Sequence, residues 1–89
     1  MAWTVEFERA AERELGNLGP PEAQRILLFL SRRLAVLEDP RSLGQPLRGS
    51  TLGGLWKYRV GDYRIIAAIE DAAVRILVVR VGHRREVYR

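Results

Sequence analysis

Leu55-Trp-Lys-Tyr-Arg-Val-Gly-Asp-Tyr-Arg-Ile-Ile-Ala-Ala-Ile69 is the stretch that decides the fold. Two alternating runs flank Gly61-Asp62, the signature of a β-hairpin closed by a two-residue primed turn. Such a loop fixes the register: Val60 faces Tyr63, Arg59 faces Arg64, and Lys57 faces Ile66. Alternation then puts Lys57, Arg59 and Arg64 on one face of the sheet and Trp56, Tyr58, Tyr63 and Ile65 on the other. Like charges directly opposite each other cost stability. The Arg59–Arg64 pair therefore reads as an anion-binding feature rather than a folding device.

Upstream, Trp3, Val5 and Phe7 alternate with polar residues and predict a short first strand. From Arg9 the period becomes helical, with Phe7, Ala11, Leu15 and Leu18 on one stripe. Gly19-Pro20-Pro21 ends that helix and starts a second. The second helix carries a stripe of Ala23, Leu27, Leu30, Leu34 and Leu37, which leaves Arg25, Arg32 and Arg33 off it, most simply on a solvated face that nucleic acid or a partner could use. Asp39-Pro40 stops it, and a loop follows to Gly53-Gly54 with Leu43, Leu47 and Leu52 expected beneath it. Downstream of the hairpin, a turn at Glu70-Asp71-Ala72-Ala73 leads to Val74–Val81, apolar enough to sit centrally in the sheet. Gly82 ends this strand. The order β-α-α-β-β-β predicts an α+β fold, a helical hairpin packed on one face of a mostly antiparallel four-stranded sheet. The basic face would be the opposite one.

At 89 residues, 47% hydrophobic and 29% charged, the chain fits one globular domain, 1–89. It has no cysteine, which excludes a disulfide framework or a cysteine-ligated metal. No apolar run approaches the ~18 residues of a membrane span, and no signal-peptide pattern opens the chain, so a cytoplasmic location is expected. The net charge is +4, and it is uneven. Residues 1–45 hold six arginines against seven acids, whereas 46–89 hold nine cations against four acids. An excess confined to one half points to a polyanionic partner.

The last strand should return its end to the hairpin turn, bringing His83, Arg84, Arg85 and Tyr88 near Arg64. The result is a basic face with an imidazole and an aromatic ring. Cleaving an RNA phosphodiester needs a base for the 2′-hydroxyl, donors for the phosphoryl oxygens and an acid for the leaving 5′-oxygen. Guanidinium groups suit the second role, since their fork matches phosphate oxygens. No paired carboxylates, metal-ligand cluster, Gly-rich phosphate loop or serine triad is visible, so the expected chemistry uses neither metal nor cofactor.

The hairpin, together with Pro46-Leu-Arg-Gly49 before it and Val79-Arg-Val-Gly-His-Arg-Arg-Glu-Val-Tyr-Arg89 after it, resembles the RelE toxins of bacterial and archaeal toxin–antitoxin systems. The resemblance covers essentially the whole chain. It implies a ribosome-dependent endoribonuclease that cleaves mRNA in the A site by 2′-oxygen attack, leaving a 2′,3′-cyclic phosphate and inhibiting translation. It implies Arg64 as the phosphate-stabilising arginine and Arg84 as a second arginine acting on charge or the leaving group. It also implies Tyr88 as the ring stacked on the cleaved nucleotide and Lys57 as the first of two hairpin lysines. Arg59 stands where the second lysine belongs, and an arginine stays protonated, so Arg59 would bind phosphate without abstracting a proton. The base then falls to Lys57, His83 or Tyr88, or to ribosomal groups; His83 and Arg85 join Arg59 as candidate RNA-binding residues. The implied partners are the ribosome with its mRNA and a cognate RelB-like antitoxin that neutralises the basic face. Within the same superfamily, ParE-like toxins poison DNA gyrase without nuclease activity. They generally lack the full set of cations plus the tyrosine, so Lys57, Arg64, Arg84 and Tyr88 together favour the nuclease.

Overall fold

The computed structural model describes residues 2–47 and 54–87. Arg48–Gly53 (with Leu52), Tyr88 and Arg89 lie outside the described residues. The chain runs β1 (Thr4–Phe7), α1 (Arg9–Gly16), α2 (Pro20–Leu28), β2 (Gln45–Pro46), β3 (Leu55–Val60), β4 (Tyr63–Glu70) and β5 (Arg75–His83). The four expected strands and two helices are all present. A two-residue strand, β2, joins the sheet, whose order is β1-β5-β4-β3-β2. The β1–β5 pairing is parallel and the others are antiparallel.

The hairpin has the register its sequence dictates: Lys57 opposite Ile66, Arg59 opposite Arg64 and Val60 opposite Tyr63. Gly61 takes φ +59° while Asp62 stays negative, as a II′ turn requires. The helices pack on the face that carries Tyr58, Ile65, Ala67, Val78 and Val81, burying Ala11, Leu15, Ile26, Leu30 and Leu34. Buried Tyr58 donates its hydroxyl to the Pro40 carbonyl at 3.0 Å, and burial pushes its pKa up to about 12. That bond pins the start of the long loop. A Cβ on Gly44 would fall 2.8 Å from the Tyr58 ring, so only glycine lets the loop pass there.

The second helix differs from its expected stripe. Beyond Leu28 the backbone widens into a π-helical segment, Phe29–Leu34, with the Ala35 N–H donating to Leu30 O. The buried positions run at a spacing of four, as Ile26, Leu30 and Leu34; Leu30 and Leu34 lie where the stripe puts them, whereas Leu27, which precedes the widening, turns outward to 45% exposure. Leu43 is likewise not tucked beneath the loop but 43% exposed. Among the described residues, no helix is long and apolar enough to cross a membrane.

Candidate nucleic-acid interface

The hairpin register places Lys57, Arg59 and Arg64 on the sheet face opposite the core. The tail reaches them because the Arg84 N–H donates to the Asp62 carbonyl at 2.9 Å. A short turn follows, its Glu86 and Val87 N–H groups both donating to His83 O. Val87 is buried, 3.4 Å from where a Gly82 Cβ would stand, on the face of Arg64.

These residues line a groove of about 1060 Å³. Its walls hold eight cations (Arg25, Arg32, Arg33, Lys57, Arg59, Arg64, Arg84 and Arg85) and, among the described residues, no acid. Leu28, Phe29, Leu43 and Val60 supply apolar surface between them. The groove extends to the helix side, where β2 pairs with Trp56 and Lys57 and, among the described residues, no strand pairs the outer edge of β3 from Tyr58 to Val60. Sequence reasoning missed this helix wall. It set Arg25, Arg32 and Arg33 on a face most simply solvated, open to nucleic acid or a partner, and did not join them to the hairpin cations, since helical periodicity says which residues point outward and not what lies beside them.

Arg64 is the only buried charged residue among those described, at 8% exposure. One guanidinium nitrogen, Nη1, donates to the carbonyls of Gly61 at 3.0 Å and Tyr63 at 2.8 Å. Backbone carbonyls orient the group without neutralising it, so its full charge stays available to an anion. No carboxylate among the described residues pairs with Arg32, Arg33, Arg59, Arg64, Arg84 or Arg85.

His83 is not brought into the groove. It stands opposite Tyr63, on the core face, with the two rings edge to face at 5.8 Å. Its Nδ1 accepts the Arg85 N–H at 3.2 Å, so the ring braces the tail turn. Tyr88 lies outside the described residues. Among the described residues, no group of three His, Cys, Asp or Glu side chains could hold a metal ion.

The family model for the ParE toxin of type II toxin–antitoxin system, parDE, matches residues 3–88. Toxin RelG of Mycobacterium tuberculosis is 34% identical over 89 residues, covering 100% of this chain and 99% of that protein. The mRNA interferase toxin RelE of Escherichia coli is 32% identical over 90 residues, covering 99% of this chain and 92% of that protein. Among solved structures, the toxin–antitoxin complex RelBE2 of M. tuberculosis matches with a TM-score of 0.83 and 31% identity, covering 97% of this chain and 95% of the matched one. A match over nearly every residue, the shared fold and an anion-ready groove converge: the chain belongs to the RelE/ParE superfamily of type II toxin–antitoxin toxins and is of the RelE type.

Proposed function

We propose that residues 1–89 form a single toxin domain that inhibits translation as an mRNA endoribonuclease, cutting in the ribosomal A site by attack of the 2′-oxygen on the adjacent phosphate. One observation carries this reading: eight cations converge on one groove with no acid among its described lining, and a buried, carbonyl-oriented arginine lies among them. Charge develops on the phosphoryl oxygens during the displacement, and donors fixed beforehand stabilise it without reorganising. Arg64 takes that role, with Arg59 beside it on the opposing strand. Arg84, carried by the tail to the hairpin turn, faces the leaving 5′-oxygen, and Arg85 binds the backbone.

Lys57 is the base candidate within the groove, since a lysine can lose its proton where an arginine cannot. His83, turned toward Tyr63, braces the tail in this reading. Tyr88 keeps the role its motif suggests, stacking on the cleaved nucleotide. The partner that holds the toxin in check is a RelB-like antitoxin; the matched M. tuberculosis structure is a toxin–antitoxin complex.

The gyrase-poison reading has one point in its favour, the ParE description of the matching family model. Primer extension on mRNA in stalled ribosomes decides between them, comparing wild type with Arg64→Lys and Arg84→Ala. A cut inside the A-site codon that weakens in both variants is the expected result. No cut by folded wild-type protein, with trapped DNA breaks in a gyrase assay, would overturn it.

A further inference from the structure

Arg25, Phe29, Arg32 and Arg33 recur at helical spacing on the wall of α2 and its π-helical extension that lines the groove. Arg32 and Arg33 are exposed and have no carboxylate partner among the described residues, and Arg25 has only an exposed 3.4 Å pairing with Glu22. Exposed pairs of that kind contribute little. Gathering three such guanidinium groups opposite Arg59 and Arg64 raises the self-repulsion of the folded state, and no acid among the described residues lines the groove to offset it.

The two walls meet at Gly61. Its carbonyl accepts from Arg64, while Arg25 Nη2 lies 2.9 Å from where its Cβ would be. A phosphate at Arg64 therefore has Arg25 at the next position along the groove. From Arg25 to Arg32 the helix advances ~10 Å, enough for about three nucleotides of a stacked strand at ~3.4 Å each. Between them Leu28 and Phe29 offer apolar surface on which unpaired bases can rest.

We propose that this helix wall (Arg25, Arg32 and Arg33, with Phe29 between them) is a second RNA-binding tract, holding the single-stranded backbone beyond the phosphate seated at Arg64. The tract rests on the nuclease reading for the identity of its ligand. It takes a phosphodiester backbone without regard to sequence, because guanidinium contacts to phosphate carry no base information.

The test is fluorescence anisotropy of a labelled 12-nucleotide oligouridine with the full chain across a series of KCl concentrations. Wild type is compared with the triple variant Arg25→Ala/Arg32→Ala/Arg33→Ala and with Arg9→Ala/Arg13→Ala, which removes two exposed cations of α1 outside the groove. Each phosphate contact on a single strand contributes about 0.7 to the slope of log affinity against log salt. The helix-wall variant should lose about 2 units of slope and weaken equally on oligouridine and oligoadenosine, with the α1 variant close to wild type. A helix-wall variant no different from the α1 variant overturns the proposal. So does one that keeps the RNA slope but loses binding to a glutamate-rich helical peptide, which would assign the wall to an acidic protein segment. Wild-type protein that binds RNA with this slope but never cuts on the ribosome sinks the nuclease reading and leaves the tract standing.

Discussion

Arg64 and Arg80 lie on the same face of the sheet, two positions apart across the β4–β5 pairing, and serve opposite ends. Arg80 Nε donates to both oxygens of Glu14, at 3.0 and 3.3 Å, and the same carboxylate accepts the Val81 N–H at 2.9 Å. Glu14 thus closes the edge of β5 just where β1 has ended. Arg75 is likewise paired with Glu70 and Glu6, and Arg41 joins Asp39 to Asp71 across two turns. Among the described residues, Arg64 meets only carbonyls. A carboxylate partner turns an arginine into a fastener, whereas carbonyl partners fix its position and leave its charge unspent. Of the groove's arginines, only Arg25 has a carboxylate partner among the described residues.

Breaking each side of this comparison should produce a different kind of loss. On the nuclease reading, Arg64→Ala removes a preorganised donor and should slow A-site cleavage by roughly 100- to 1000-fold in single-turnover measurements. Arg64→Lys, which keeps the charge but loses the fork, should recover part of it; equal loss in both would locate the effect in the fork. Glu14→Ala should instead cost stability, about 1–2 kcal/mol for charge-assisted bonds that are partly exposed. Urea unfolding should show the shift, and cleavage by the folded fraction should be unchanged.

Tyr58→Phe should cost about 1 kcal/mol by removing a buried hydroxyl–carbonyl bond. Its pH signature is specific. The folded pKa is raised from 10.0 to about 12, so folding favours the protonated phenol. The associated stability is full below pH 10 and is lost as pH rises through about 12. Alkaline unfolding profiles of wild type and Tyr58→Phe should therefore converge over that window. The smallest effect belongs to Asp71→Asn. The hydrogen bonds from Arg41 hold the Asp71 carboxyl below its ordinary value of 3.8, so its contribution exists above that pH and fades as pH falls further. Asp71 is well exposed, and only a slight shift in the acid limb of a stability–pH curve is expected.

The hairpin was legible in the sequence to the residue, because a two-residue turn leaves one register. The order of elements followed from where period two gives way to helical spacing. The phase of the second helix was legible at Leu30 and Leu34 and failed at Leu27, where Ile26 is buried instead, and nothing in Phe29–Leu34 announces the widening. The face of His83 could have been found by counting strand parity past Val81, since Val81 shares a face with Ile65 and His83 follows two residues later. The helix wall was hidden for another reason. Arg25, Arg32 and Arg33 are distant from the hairpin in sequence, and only the fold brings them alongside it.

Gly61 has no side chain with which to bind or react, yet it sets the turn that holds Arg59 opposite Arg64. Any L-residue there meets a left-handed φ of +59°, while its first carbon need only push aside the exposed, flexible end of Arg25. In a genetic selection for cells that survive the toxin, substitutions at Gly61 should therefore recur beside those at Arg64. A position that contributes only a backbone conformation would then be scored with the residues that contribute charge.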